Sequence, residues 1–160
     1  MFPQDVLDKA SKALETARAA GVRIATAETC TGGLIGACLT AVPGASEVFD
    51  RGFVLYHASA KSTSLGVSEE IAAAHGAVSA EVTQGLAEGA LAHSGAAIAV
   101  ALTGYAGPGG GNERDPVGTV YVAVARADRE TAVERHVFSG DRDAVRLAGV
   151  AAALDLLVKT

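Results

Sequence analysis

The chain has 160 residues, 49% of them hydrophobic and 19% charged, with a net charge of −5 and a pI near 5.3. That length suits one domain, residues 1–160, able to bury about 68–70% of its unfolded surface without a disulfide or metal staple. The acidic balance and the lack of any Lys/Arg-rich stretch argue against a nucleic-acid partner, and no uncharged apolar run reaches the roughly 18 residues of a membrane span.

The first segment, about residues 3–20, carries Val6, Ala10, Ala13, Leu14 and Ala17 at helical spacing, with Pro3 near its start and Gly21 at its end. Residues 22–27 read as a short buried strand. A helix over 31–41 follows, closed by Pro43-Gly44. Residues 49–56 read as a second strand. Residues 58–66 and 68–75 read as short helices, the latter capped by Ser68 with Glu69 and Glu70 in its first turn. Ser79 is placed to cap the next helix, on which Val82, Leu86, Gly89, Ala90 and His93 share a face. The run 96–102 is apolar throughout, as a central strand buried on both faces would be. After a loop over 103–115, residues 117–125 and 131–138 read as a hairpin through Asp128-Arg129. A last helix starts at Asp141, with Ala144, Leu147, Ala151, Leu154 and Val158 on one face. Helices interleaved with strands predict a three-layer α/β/α sandwich around a mixed, mostly parallel sheet, in which the late hairpin supplies the antiparallel pair.

The N-terminus, Met1-Phe2-Pro3-Gln4-Asp5, has no basic n-region followed by an apolar core, so a cytoplasmic protein is expected. The two cysteines, Cys30 and Cys38, stand two turns apart if both lie on the 31–41 helix, too far for a bridge within it. No Cys/His spacing suits zinc, and neither a metal nor a cofactor is expected.

Three segments have the composition for chemistry. Ala27-Glu28-Thr29-Cys30-Thr31-Gly32-Gly33 places a carboxylate, hydroxyls, a thiol and two glycines at a strand-to-helix turn. Backbone N–H groups at such a turn point outward and carry partial positive charge, so a nucleophile there would sit beside its own oxyanion donors. Thr29 is either that nucleophile or merely a polar turn residue; in the first case N–H groups near Thr31, Gly32 and Gly33 are the candidate donors. Glu28 reads as structural, bonding to turn N–H groups. Cys30 reads as a small buried apolar residue, since no histidine accompanies it.

The second segment is Thr103-Gly104-Tyr105-Ala106-Gly107-Pro108-Gly109-Gly110-Gly111, with five glycines in the eight positions from 104. It follows the most apolar strand, beyond whose carboxyl end open α/β sheets bind ligands. It matches neither the Walker A nor the GxGxxG pattern. Its readings are a phosphate cradle, through Thr103, Gly104, Gly107, Gly109 and Gly110, or a flexible connection. The third segment runs from Tyr56 to Lys61 at the end of the second strand. A lysine among Ala58, Ala60 and nearby apolar surface is either a surface residue at a helix start or a desolvated base of lowered pKa. Arg142 and Arg146, one turn apart on the last helix, either bind a phosphate or are solvated and paired with Asp141 and Asp143.

Taken together, these segments resemble one family. Residues 27–33 are similar to AESCTGG, Val42-Pro43-Gly44-Ala45-Ser46 to VPGSS, and Tyr56 to Lys61 to a Y-SN-x-A-K segment. His75-Gly76-Ala77-Val78-Ser79 is similar to HGAVS, residues 103–110 to TGIAGPGG, and Pro116-Val117-Gly118-Thr119-Val120-Tyr121 to PVGTVY. Phe138-Ser139-Gly140-Asp141-Arg142 resembles the F-x-G-x-R start of the final helix. On these motifs the chain resembles the CinA C-terminal domain family, which includes the nicotinamide mononucleotide deamidases, from about Leu7 onward and in the stand-alone form. The resemblance implies metal-independent hydrolysis of the carboxamide of nicotinamide mononucleotide, giving nicotinate mononucleotide and ammonia. It places Thr29 at the family's serine nucleophile and Tyr56 and Lys61 at its supporting tyrosine and lysine. The loop 104–111 and Arg142 are then expected to hold the phosphate of a small-molecule nucleotide substrate, and a homo-oligomer is expected. Two other expectations accompany this one. The first is a nucleotide-binding or regulatory module that keeps the pocket without the chemistry, because Thr29 replaces serine. The second is a role on another amide or beside a competence or DNA-damage partner.

Overall fold

The computed structural model describes all residues, 1–160. In chain order the elements are α1 (Gln4–Ala19), β1 (Ile24–Glu28), α2 (Leu34–Thr40), a short 3-10 turn (Ala45–Glu47), β2 (Phe49–Val54), α3 (Ala58–Leu65) and α4 (Glu69–His75). They continue with α5 (Ala80–Ala92), β3 (Ile98–Gly104), β4 (Thr119–Arg126), β5 (Arg129–Val137) and α6 (Arg142–Lys159). The sheet order is β2-β1-β3-β4-β5. β1 runs parallel to both β2 and β3, β3 pairs antiparallel with β4, and β4 antiparallel with β5. Every strand but β4 therefore points the same way, and the sheet is mixed and mostly parallel.

Strand alternation divides the core in two. Ile24, Ile98, Val100, Leu102, Val120, Val122 and Val124 face one side and pack against α1, α2 and α6. The alternate positions face α5 and are almost all alanine: Ala25 lies opposite Ala99, Ala27 opposite Ala101, Ala99 opposite Ala125 and Ala101 opposite Ala123. Such a floor has little relief, so α5 can seat its Val82, Leu86, Ala87 and Ala90 directly on it. At the carboxyl ends of β1 and β3 the alanine rows run on into Thr29 and Thr103. The second hydroxyl is within 2.8 Å of the Thr83 hydroxyl on α5. Polar chemistry thus begins where the alanines stop, at the strand ends where open α/β sheets bind ligands.

Three sequence expectations shift. The helix expected over 31–41 starts only at Leu34, because Gly32 and Gly33 have left-handed φ of 60° and 100°. Cys30 therefore lies in the turn and not on the helix with Cys38. On α6 the buried residues are Val145, Gly149, Val150, Ala152, Ala153, Leu154, Leu156 and Leu157, while Ala144 is exposed and Leu147, Ala151 and Val158 are half-buried. The helix is wedged between the sheet and α1, so its apolar arc is wider than one stripe and centred elsewhere. His93 caps α5 instead of joining its buried face, its Nδ1 within 2.8 Å of the Gly89 carbonyl. No helix is long and apolar enough to cross a membrane.

Candidate active site

The turn after β1 is organised by Glu28. Its carboxylate, 1% exposed, accepts from the Thr31 hydroxyl at 2.6 Å and from the N–H groups of Gly33, Ile35 and Gly36 at 3.1, 3.0 and 2.9 Å. A charged acceptor at a helix start satisfies N–H groups that lack intrahelical partners and complements the helix dipole. The Gly32 N–H is also used, donating to the Thr29 carbonyl at 3.0 Å. The N–H groups expected at Gly32 and Gly33 for an oxyanion are thus already bonded inside the turn. Thr31 is fully buried with its hydroxyl turned to Glu28.

Thr29 and Cys30 stand on the outer side of this turn and line a cleft of about 220 Å³. Tyr56, Lys61, Val78, Gly104, Tyr105, Ala106, Gly107, Gly109 and Arg142 complete its walls. The structure therefore brings together Thr29, Tyr56, Lys61, Gly104, Gly107, Gly109 and Arg142. Thr31, Gly32, Gly33, Thr103 and Gly110 stand outside the lining. Thr103 is held beneath it by Thr83, and Gly110 lies against the ring of Tyr105.

Lys61, on the first turn of α3, is 8% exposed, and its ammonium has one protein acceptor, the Ala77 carbonyl at 3.2 Å. Burial pulls its pKa below the usual lysine value, and the nearby Cys30 thiolate form works in the opposite direction. Of the two sequence readings of this lysine, the structure has the desolvated one. The Thr29 hydroxyl is buried and donates to the Leu102 carbonyl on β3 at 3.1 Å. Beside it, burial pushes the Cys30 thiol up, while a hydrogen bond with Thr29 and the charges of Arg142 and Arg146 pull it down to a lesser extent. Tyr56 is 68% exposed at the rim, where its hydroxyl accepts from Arg142 Nη2 at 3.0 Å.

Two arginines of α6 tie these pieces together. Arg142 also donates through Nη1 to the Gly107 carbonyl at 2.7 Å, so it joins the rim tyrosine to the glycine loop. Arg146 donates to the carbonyls of Cys30 and Thr31, at 3.0 and 3.3 Å, and clamps the peptide units that follow Thr29. The pairing with Asp143 expected from the sequence is present at 3.6 Å, whereas Asp141 caps the helix by accepting from the Ala144 N–H. Gly107 has φ of 87° and its missing Cβ would lie 2.8 Å from Val117, so only glycine fits there without strain. Sequence reasoning passed over Cys30 as a wall residue and Arg146 as a clamp on the turn. Val78, an apolar residue in a polar motif, carries no chemical signal that would have marked it.

The chain matches the model of the CinA C-terminal domain over residues 7–160. It is 44% identical to the nicotinamide-nucleotide amidohydrolase PncC of Escherichia coli K12 over 157 residues, which is 98% of this chain and 95% of that protein. It is 47% identical to a CinA-like protein of Myxococcus xanthus over 98% of its own length, but spans only 37% of that longer protein. The crystal structure of the competence/damage inducible protein CihA from Agrobacterium tumefaciens superposes with a TM-score of 0.96 at 41% identity, covering 99% of this chain and 97% of that one. A match over nearly the whole length in family model, sequence and fold, with five of the seven motif segments lining one cleft, leaves one assignment: the chain belongs to the CinA C-terminal domain family.

Proposed function

We propose that this protein hydrolyses the carboxamide of nicotinamide mononucleotide to nicotinate mononucleotide and ammonia, with Thr29 as nucleophile and Lys61 as its base. The reading is carried by one observation: a buried amine of lowered pKa lines the same cleft as a buried hydroxyl, at the carboxyl ends of β1 and β3. The kinship with PncC supplies the substrate class.

The Thr29 oxygen attacks the carboxamide carbon while its proton passes to the neutral amine of Lys61. Collapse of the tetrahedral adduct expels ammonia, which leaves with a proton returned by Lys61. A water then attacks the resulting ester and gives a proton to Lys61, which passes it to the departing Thr29 oxygen; the hydroxyl and the neutral amine are regenerated, and the acid leaves as its carboxylate with its remaining proton lost to solvent. The N–H of Cys30 has no protein carbonyl as acceptor and belongs to the residue that follows the nucleophile, the position that serves as oxyanion donor in many hydroxyl-nucleophile hydrolases. The N–H groups of Ala106, Gly107 and Gly109 are likewise without protein acceptors and, with Arg142, form the phosphate side of the cleft. Tyr56 positions the substrate at the rim.

A second reading, a nucleotide-binding module without turnover, draws on the bond from the Thr29 hydroxyl to Leu102, which commits its proton to a backbone carbonyl and not to Lys61. Ammonia release from nicotinamide mononucleotide, measured on the wild type and on Lys61→Ala, separates the two. The hydrolase reading expects release by the wild type and none by the variant. A wild type that binds the nucleotide and releases no ammonia belongs to the second reading.

A further inference from the structure

The glycine loop leaves the sheet at Gly104 and returns at Thr119, and its two arms are held by different means. The cleft arm is pinned by Arg142 at the Gly107 carbonyl. The return arm is pinned by Asp115, a fully buried carboxylate that the chemistry above does not use. Its Oδ1 accepts from the Tyr121 hydroxyl on β4 at 2.9 Å and from Arg135 Nε on β5 at 3.0 Å, and its Oδ2 accepts from Arg114 Nε at 2.8 Å. Asp115 and Asn112 also close the loop tip on themselves, through Asn112 N–H to the Asp115 carbonyl and Asp115 N–H to Asn112 Oδ1, both at 2.8 Å. Burial raises the Asp115 pKa, yet the bonds from Arg135, Tyr121 and Arg114 outweigh it and hold the carboxyl below the usual range.

The same network reaches the base. Arg114 Nη2 donates to the His75 carbonyl at 2.8 Å, and Arg135 Nη2 donates to the Arg114 carbonyl at 2.8 Å. Two residues beyond His75, the Ala77 carbonyl is the acceptor for Lys61, and Val78 lines the cleft. One carboxylate is therefore linked both to the loop that walls the cleft and to the short segment on which the lysine rests.

We propose that Asp115 is a positioning residue: it holds the glycine loop and the 75–78 segment in their ligand-ready arrangement, so that the cleft is preformed and does not depend on closure of the loop. A buried carboxylate holding charge-assisted bonds to two arginines and a tyrosine hydroxyl fixes geometry in this way, and a loop fixed before binding loses less entropy when the nucleotide arrives. The kinetic part of this proposal rests on the hydrolase reading above; the structural part does not.

The test compares Asp115→Asn and Arg135→Gln with the wild type in the full chain. Hydrogen exchange of the backbone amides over 105–112 and 75–78 is measured alongside kcat and KM for nicotinamide mononucleotide. The expected result is faster exchange confined to those two segments. KM is expected to rise about tenfold in Asp115→Asn, the factor that corresponds to roughly 1.4 kcal/mol of lost pre-organisation, with kcat changed less than KM and Arg135→Gln showing the smaller version of both effects. Should the wild type prove inactive on the nucleotide, the exchange data still decide the structural claim. Unchanged exchange in both variants overturns the proposal, as does acceleration spread evenly over the fold or a loss in kcat with KM unmoved.

Discussion

Replacing Thr29 by serine isolates the effect of one methyl group on the chemistry. The Thr29 hydroxyl donates to the Leu102 carbonyl, and in the mechanism proposed above that bond breaks when the oxygen turns to a carboxamide and gives its proton to Lys61. A neutral hydrogen bond contributes about 1 kcal/mol net, and serine and threonine lose it equally. Threonine alone has a second heavy atom on Cβ and hence few χ1 choices. Holding it about 30° off a rotamer minimum costs on the order of 0.5–1.5 kcal/mol. At about 1.4 kcal/mol per tenfold in rate, Thr29→Ser raises kcat about two- to tenfold. The same change deletes a buried methyl, worth about 0.8 kcal/mol, and lowers Tm by roughly 2–3 °C. Thr29→Val keeps the shape, removes the hydroxyl and abolishes turnover. Steady-state ammonia release and thermal melts on the three proteins check these values. Near-wild-type turnover by Thr29→Val, or a slower Thr29→Ser, would refute the assignment of Thr29 as a nucleophile whose methyl hinders it.

Four further outcomes follow from the same structure. Because only the neutral amine of Lys61 accepts a proton and its pKa lies below the ordinary lysine value, kcat/KM climbs with pH and levels off at a midpoint below 10.5; Lys61→Arg, which stays protonated, gives no such limb in a pH–rate profile. The linked stability has the opposite origin: the folded state disfavours the charged lysine at neutral pH, that penalty is relieved as pH rises from the folded pKa toward the unfolded one, and Lys61→Met, lacking the charge, melts higher than the wild type at pH 7. Glu28→Ala leaves buried N–H groups and a hydroxyl unpaired and costs about 4 kcal/mol or more, read as a Tm loss of roughly 10 °C; a loss under about 1 kcal/mol would mean that the turn does not depend on this carboxylate. Thr26 Oγ1 is buried without a partner, so Thr26→Val is expected to raise stability by up to about 1 kcal/mol in a denaturant titration.

The parts of the fold written in local pattern were legible. Helix caps at Ser68 and Ser79, the apolar run of β3 as far as Leu102 and the β4–β5 hairpin follow from capping chemistry and strand periodicity. The cleft was legible because its walls carry glycine, tyrosine and lysine in compact motifs. What was not legible depends on contacts between distant residues. Nothing near Lys61 in the sequence says that α3 turns its side chain inward; that follows from its packing beside α5 and the 75–78 segment. Arg146 looks like a solvated helix residue until a turn 115 positions earlier in the chain presents two carbonyls to it. The α6 face was misplaced because periodicity locates one stripe, whereas this helix is covered from several sides.

The two arginine contacts from α6 also bear on when the site comes into being. Chains are synthesised from the N-terminus, and domains fold as their segments emerge. β1, with the Thr29 turn after it, is made before α6, but the guanidinium that clamps its carbonyls and the one that joins Tyr56 to the loop both belong to α6. A nascent chain that has not yet released α6 holds the hydroxyl, the lysine and the glycine loop without the brace that sets their mutual geometry. The braced cleft is thus complete only once α6 has followed β1 and the glycine loop out of the ribosome, and its appearance reports that the elements between them are already in place.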